Sequence, residues 1–127
     1  MSVTILAVIL GLQLKHLVAD YFLQFDWMVA EKSDITKLGG YAHAGMHIVG
    51  SAIVLLLARV SISMILALVV AEFVIHYALD YTKIHYSRGV SIDTSPQKYF
   101  ALHGFDQFLH HLTYLAMTYF ALVAFAS

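Results

Sequence analysis

The chain has 127 residues, of which 61% are hydrophobic and 12% charged, and its net charge is −1. A water-soluble domain carries about 25% charged residues, so this is the composition of an integral membrane protein, read as a single domain over residues 1–127. Lys and Arg total 7 against 8 Asp and Glu, which leaves no concentrated basic face and excludes nucleic acid as a partner; without cysteine, disulfides and thiolate metal ligands are excluded too.

The first apolar run is predicted to cross the bilayer over about residues 3–27, since roughly 20 apolar residues suffice. Residues 1–4 carry no basic side chain and no small-x-small cleavage site follows, so a retained span is expected rather than a signal peptide. Within the run, Gln13, His16, Asp20 and Gln24 recur at offsets of three and four and share one helix face. Lys15 points roughly 100° away, to pair with Glu72 or to cap a cavity. Residues 31–40 form a short polar loop in which Gly39 and Gly40 turn the chain. The second span, about 41–60, holds His43 and His47 in its first turns, and Gly45 and Gly50 suit close helix approach. After a tight turn at Arg59 and Ser61, the third span, about 62–84, carries Glu72, His76 and Asp80. A polar loop, 85–98, follows, and Ser95-Pro96 starts the fourth span, about 99–126, whose first half holds His103, Asp106, Gln107, His110 and His111. The predicted fold is therefore all-α, a four-transmembrane-helix up-down bundle.

Each span carries two metal-ligand residue types one helical turn apart: His16 and Asp20, His43 and His47, His76 and Asp80, Asp106 and His110. Ionisable groups at membrane depth cost roughly 2.5–3.5 kcal/mol each on insertion scales, so they have a partner or a task. The pairs lie late in spans one and three and early in spans two and four. In an up-down bundle those places are at one level, so all four pairs converge. The loops on that side carry Lys32, Lys37, Lys83, Arg88 and Lys98, against Arg59 on the other. The positive-inside rule then sets the site near the cytoplasmic face with both termini outside, as expected in a bacterial inner membrane.

Imidazole and carboxylate without thiolate suit a divalent metal, Zn first, with Fe, Mn, Ni or Co compatible. The residues of the four pairs are too many for one tetrahedral ion and suit two ions sharing a carboxylate, which activate water for hydrolysis. Glu72 and Asp80 are the expected catalytic groups. Gln24 and Gln107 are expected to orient the ligands, and Lys15 and Lys83 to hold an anionic substrate. His85 reads as a loop residue, His103 and His111 face either the bundle or the interface, and Trp27, Tyr114 and Tyr119 read as interfacial anchors or packing.

The motifs His16-Leu-Val-Ala-Asp20-Tyr-Phe-Leu-Gln24 with Asp26-Trp27, His43-x3-His47, Glu72-Phe-x2-His76-x3-Asp80-x2-Lys83 and Asp106-Gln107-x2-His110-x2-Thr113-Tyr114 resemble a small bacterial and phage membrane family, domain of unknown function 3307. The resemblance implies a compact integral membrane protein and no particular activity. More loosely, the His/Asp pairs resemble membrane-bound metal-dependent hydrolases, although a His-Arg-x-x-Thr-His opening is missing. The expected function is a metal-dependent membrane hydrolase of phosphate-ester or lipid-linked substrates, with the bilayer and an anionic lipid-linked substrate as partners. A homo-oligomer would use the Gly/Ala faces. The alternatives are a metal-ion or proton transporter or channel, whose path the apolar outer halves of the spans oppose, and a metal-stabilised non-catalytic scaffold.

Overall fold

A computed structural model describes residues 1–125, and its regular elements are α1 (Ser2–Tyr21), α2 (Asp26–Glu31), α3 (Gly39–Leu57), α4 (Ile62–Tyr86) and α5 (Pro96–Leu122). Among the described residues there is no strand, as the all-α expectation requires. Ala126, the last residue of the fourth predicted span, lies outside the described residues.

The first span is shorter than its apolar run. The N–H groups of Phe22 and Leu23 both return to the Val18 carbonyl at 3.0 Å, and Gln24 Nε2 donates to the Asp20 carbonyl at 3.1 Å. These bonds satisfy the orphan carbonyls of the last turn and close α1. Phe25 is extended (φ −80°, ψ 156°), and the run resumes as the short α2. Gly39 and Gly40 do not turn a loop; they open α3 and let α2 and α4 press against it. A Cβ at Gly39 would come within 2.6 Å of Glu31 Cβ, and one at Gly40 within 2.8 Å of the Tyr77 ring. Glu31 Oε2 accepts the Gly39 N–H at 2.8 Å, so the side chain that ends α2 caps α3. At the other end Arg59, with φ 59°, makes the left-handed turn expected there, and Ser61 caps α4. Helix α4 runs on to Tyr86, two residues past its predicted span, and takes His85 out of the loop.

Helices α1 and α4 each pack against both α3 and α5, so the four long helices close a ring, and α2 rests on α3. Val8 and Leu12, early in α1, meet Leu55 late in α3, Ile65, Leu68 and Val69 early in α4, and Met117 late in α5. Ring neighbours therefore run antiparallel. Gly50 receives the stem of Lys15, 3.2 Å from the place of a Cβ, whereas Gly45 faces open space.

The ring is apolar outside, and its buried polar groups are all inside it. On α4 the outward stripe is Ile62, Leu66, Val70 and Val74, all exposed, while Glu72 and His76 are buried. A soluble bundle has the reverse distribution, because its outside must be wetted. Among the described residues three helices, α1, α3 and α4, are long and apolar enough to cross a membrane.

Candidate metal centre

Helical spacing of four aims both members of each pair into the ring, and the antiparallel order brings the pairs to one level. Asp20 stands among three imidazoles. Its Oδ1 is 3.1 Å from His43 Nε2 and 2.9 Å from His47 Nε2, and its Oδ2 is 3.2 Å from His16 Nε2. Asp80 is the counterpart across the ring, with Oδ2 3.4 Å from His76 Nε2 and 3.6 Å from His43 Nε2, and Oδ1 3.4 Å from His110 Nε2. Ligand atoms from Asp20, His43, His47 and His76 all lie within 4.8 Å of one another, and those of His76, Asp80 and His110 form a second such group. His76 belongs to both, and the His47 and His76 rings lie 3.9 Å apart.

The 3.4–3.6 Å separations around Asp80 fit a cation, whereas His47 Nε2 and Asp20 Oδ1, 2.9 Å apart, stand at hydrogen-bond distance. Metal–ligand arms of roughly 2.0–2.2 Å at tetrahedral angles set ligand atoms roughly 3.3–3.6 Å apart. The hydrogen-bond accounting agrees. Both ring nitrogens of His43 and of His76, and Nε2 of His110, are buried without a hydrogen-bond partner among the described residues. His110 is the clearest case. Its Nδ1 lies 2.8 Å from the Asp106 carbonyl, which only accepts, so Nδ1 carries a proton and, in the neutral ring, Nε2 presents a lone pair. That lone pair faces the carboxylate of Asp80 at 3.4 Å. Two acceptors so placed in a water-poor interior repel unless a proton or a cation lies between them.

The other predicted residues lie around these groups. His16 and Asp106 belong to neither ligand group. Gln107 Nε2 donates to Asp106 Oδ2 at 3.2 Å, which turns its Oε1 to His16 Nε2 at 2.8 Å. The protonated Nε2 of His16 donates there, and its Nδ1 accepts from the Tyr114 hydroxyl at 2.7 Å. Asp106 is held by Lys83 Nζ at 3.0 Å. Lys15 reaches inward, as one of its two expectations had it, and pairs with Glu72; both side chains are buried. Its ammonium also lies 3.3 Å from His47 Nδ1 and from the Tyr114 hydroxyl. Glu72 therefore sits behind His47, one layer away from the ligand groups, while Gln24 stands at the mouth with Lys32.

Two contributors were not anticipated. Tyr114 is 1% exposed, so it is neither an interfacial anchor nor packing alone, and its hydroxyl ties His16 to Lys15. Its place four residues after His110, on the stripe of Asp106, was the available signal. Lys32 follows α2 back to the ring, where its ammonium lies 2.8 Å from Asp80 Oδ2 and meets Gln24 Oε1. No local spacing announces that contact. His103 accepts from Lys83 at 3.1 Å near the mouth, and the His111 ring stands 5.2 Å from that of His16.

On the α2 side the ligand groups open into a cavity of about 320 Å³ lined by Asp20, Asp80, Lys32, Lys83, Asp106 and Gln107 among others. The carboxylates Asp20 and Asp80 are the ligand-group members that reach it, each 15% exposed.

Comparison with known protein families matches residues 8–127 to the family described as "Protein of unknown function (DUF3307)". No curated protein and no solved structure matches, and the looser likeness to membrane metal hydrolases finds no support in these comparisons. With nearly its whole length matched, motifs and helices together, the chain belongs to the DUF3307 family.

Proposed function

We propose that the protein is a four-span membrane hydrolase that holds two divalent metal ions between its helices and cleaves an anionic phosphate-ester or lipid-linked substrate. The observation that carries this reading is the pair of ligand groups sharing His76, with buried imidazole nitrogens that lack a hydrogen bond beside two carboxylates. Bound there, divalent ions would supply the positive charge that polarises an ester and acidifies a water molecule. Asp20 and Asp80 would each serve one ion, at the boundary between the buried imidazoles and the open cavity. Lys32 and Lys83 border that cavity and suit an anionic substrate.

The fourth crossing in this reading is α5. Its 27 residues are long enough, and Phe105, Phe108, Leu112 and Leu115 give it an apolar outer face. Its inward Asp106 and His110, with Gln107 and His111, lower its average hydropathy without touching the lipid-facing side. Four crossings return both termini to one side, and the lysines around the mouth favour the cytoplasm for the other.

Catalysis is favoured over conduction because the ring beyond Tyr114 is filled by Leu12, Leu55, Leu68 and Met117, which leaves ions and protons no polar path. The test is hydrolysis of nitrophenyl phosphate esters and of phospholipids by the detergent-purified protein with added Zn or Mn. Turnover that needs metal and falls at least a hundredfold in Asp80→Asn, with the helical spectrum unchanged, is expected. Stoichiometric metal with no turnover on any ester would contradict the hydrolase and favour a metal-stabilised scaffold.

A further inference from the structure

We infer that the groove between α4 and α5 seats the acyl chain of an anionic membrane lipid whose phosphate lies at Lys83, so that substrate enters the site sideways from the bilayer. The inference rests on the hydrolase reading and names its substrate's route. An apolar cavity of about 340 Å³ between these helices is lined by Leu79, Leu102, Phe105 and Leu109. It shares Lys83 and Asp106 with the polar cavity of about 320 Å³ at the mouth of the ligand groups. Each volume lies within the roughly 300–1,000 Å³ of small-molecule sites. An amphipathic molecule fits this junction, tail on one side and charged head on the other.

Lys83 is built for the boundary. Its ammonium donates to Asp106 Oδ2 at 3.0 Å and to His103 Nδ1 at 3.1 Å, and with its side chain 30% exposed it keeps a third N–H for a ligand. The carboxylates Asp106 and Asp80 on the same wall are already paired with Lys83 and Lys32, so a singly anionic head meets the remaining N–H of Lys83, whereas the choline of a zwitterionic head adds a second cation beside the two lysines.

A second groove shows what is special about this one. Between α1 and α3 the surface recess is larger, about 1000 Å³, and lined by residues such as Leu14, Val18, Val49 and Ile53, but neither Asp20 nor Asp80 borders it. The ammonium of Lys15, whose stem forms part of its wall, is turned inward to Glu72. That recess has no head-group site and suits any lipid tail.

The experiment is tryptophan quenching by brominated lipids in vesicles of four-fifths phosphatidylcholine and one-fifth phosphatidylglycerol, with bromine placed on the phosphatidylglycerol or on an equal fraction of the phosphatidylcholine. In a Trp27→Phe background, Phe105→Trp reports the α4/α5 groove and Ile53→Trp the α1/α3 recess. At Phe105→Trp the brominated phosphatidylglycerol should quench at least twofold more than the brominated phosphatidylcholine. Ile53→Trp should show no preference; Lys83→Met should abolish the preference and Lys83→Arg keep it. Equal quenching at Phe105→Trp, a preference that survives Lys83→Met, or its loss on adding millimolar glycerol phosphate would each overturn the inference. A preference without lipid hydrolysis would support the lipid site and sink the hydrolase alone. Metal-dependent cleavage of soluble esters with no preference would sink the lipid site alone.

Discussion

One or two helical turns separate chemistry from packing on every helix of the ring. On α1 the inward stripe passes from Val8 and Leu12 to His16 and Asp20; on α4 it passes from Ile65 and Leu68 to Glu72, His76 and Asp80. Helices α3 and α5 run the other way, from His43 and His47 through Ser51 to Leu55, and from Asp106 and His110 through Tyr114 to Met117 and Thr118. One half of the ring is thus dry and closely packed, and the other gathers imidazoles and carboxylates that the dry half could not hold. The comparison teaches that the two halves need a joint. Lys15, Glu72 and Tyr114 form it, facing the apolar cluster on one side and His47 and His16 on the other.

The largest expected effect comes from breaking that joint. Lys15→Met leaves the Glu72 carboxylate buried and uncompensated, which costs about 3–5 kcal/mol, and Lys15→Met with Glu72→Leu should restore most of the loss. Reversible unfolding in mixed micelles checks it; a single variant as stable as its parent would remove the joint from the account.

Next is the dry half. Leu55→Ala should cost about 2 kcal/mol, the low end of the usual range, because a membrane helix leaves its neighbours for lipid and mainly packing is lost. Metal bound per folded molecule should not change in this variant, and a drop would mean that the halves are not separable.

A smaller change sharpens the same boundary from the polar side. Tyr114→Phe removes the hydroxyl that faces Lys15 and lies 3.5 Å from Nδ1 of His47, a ligand-group member, and groups behind metal ligands are worth about 10–100-fold in affinity. Competition with a fluorescent zinc chelator measures it. A parent-like affinity, with stability lowered, would make Tyr114 a packing residue only.

Much of this arrangement is legible in the chain. Residue types repeating at four-residue spacing announce helices whose polar stripes share a level, because periodicity is a local property that survives folding. The level at which α1 stops is not legible: nothing between Phe22 and Phe25 is Gly or Pro, and the break depends on Gln24 and on α2 settling against Gly39. The same holds for Lys32, which reads as a loop charge until α2 carries it to Asp80. Spacing also treats His16 and His43 alike. Their difference lies on other helices: Gln107 and Tyr114 hydrogen-bond both nitrogens of His16, whereas Nε2 of His43 stands between the carboxylates of Asp20 and Asp80 without a hydrogen bond.

The most direct measurement is metal content by mass spectrometry of the protein purified in detergent without chelators, beside His76→Ala and Asp80→Ala. With two ligand groups the parent should carry about two divalent ions per chain, and His76→Ala, which removes a ligand from each group, should lose both. Asp80→Ala, which strips one group and leaves the other whole, should retain about one. A parent that binds no metal, or a His76→Ala variant that keeps its full complement, would contradict a shared centre.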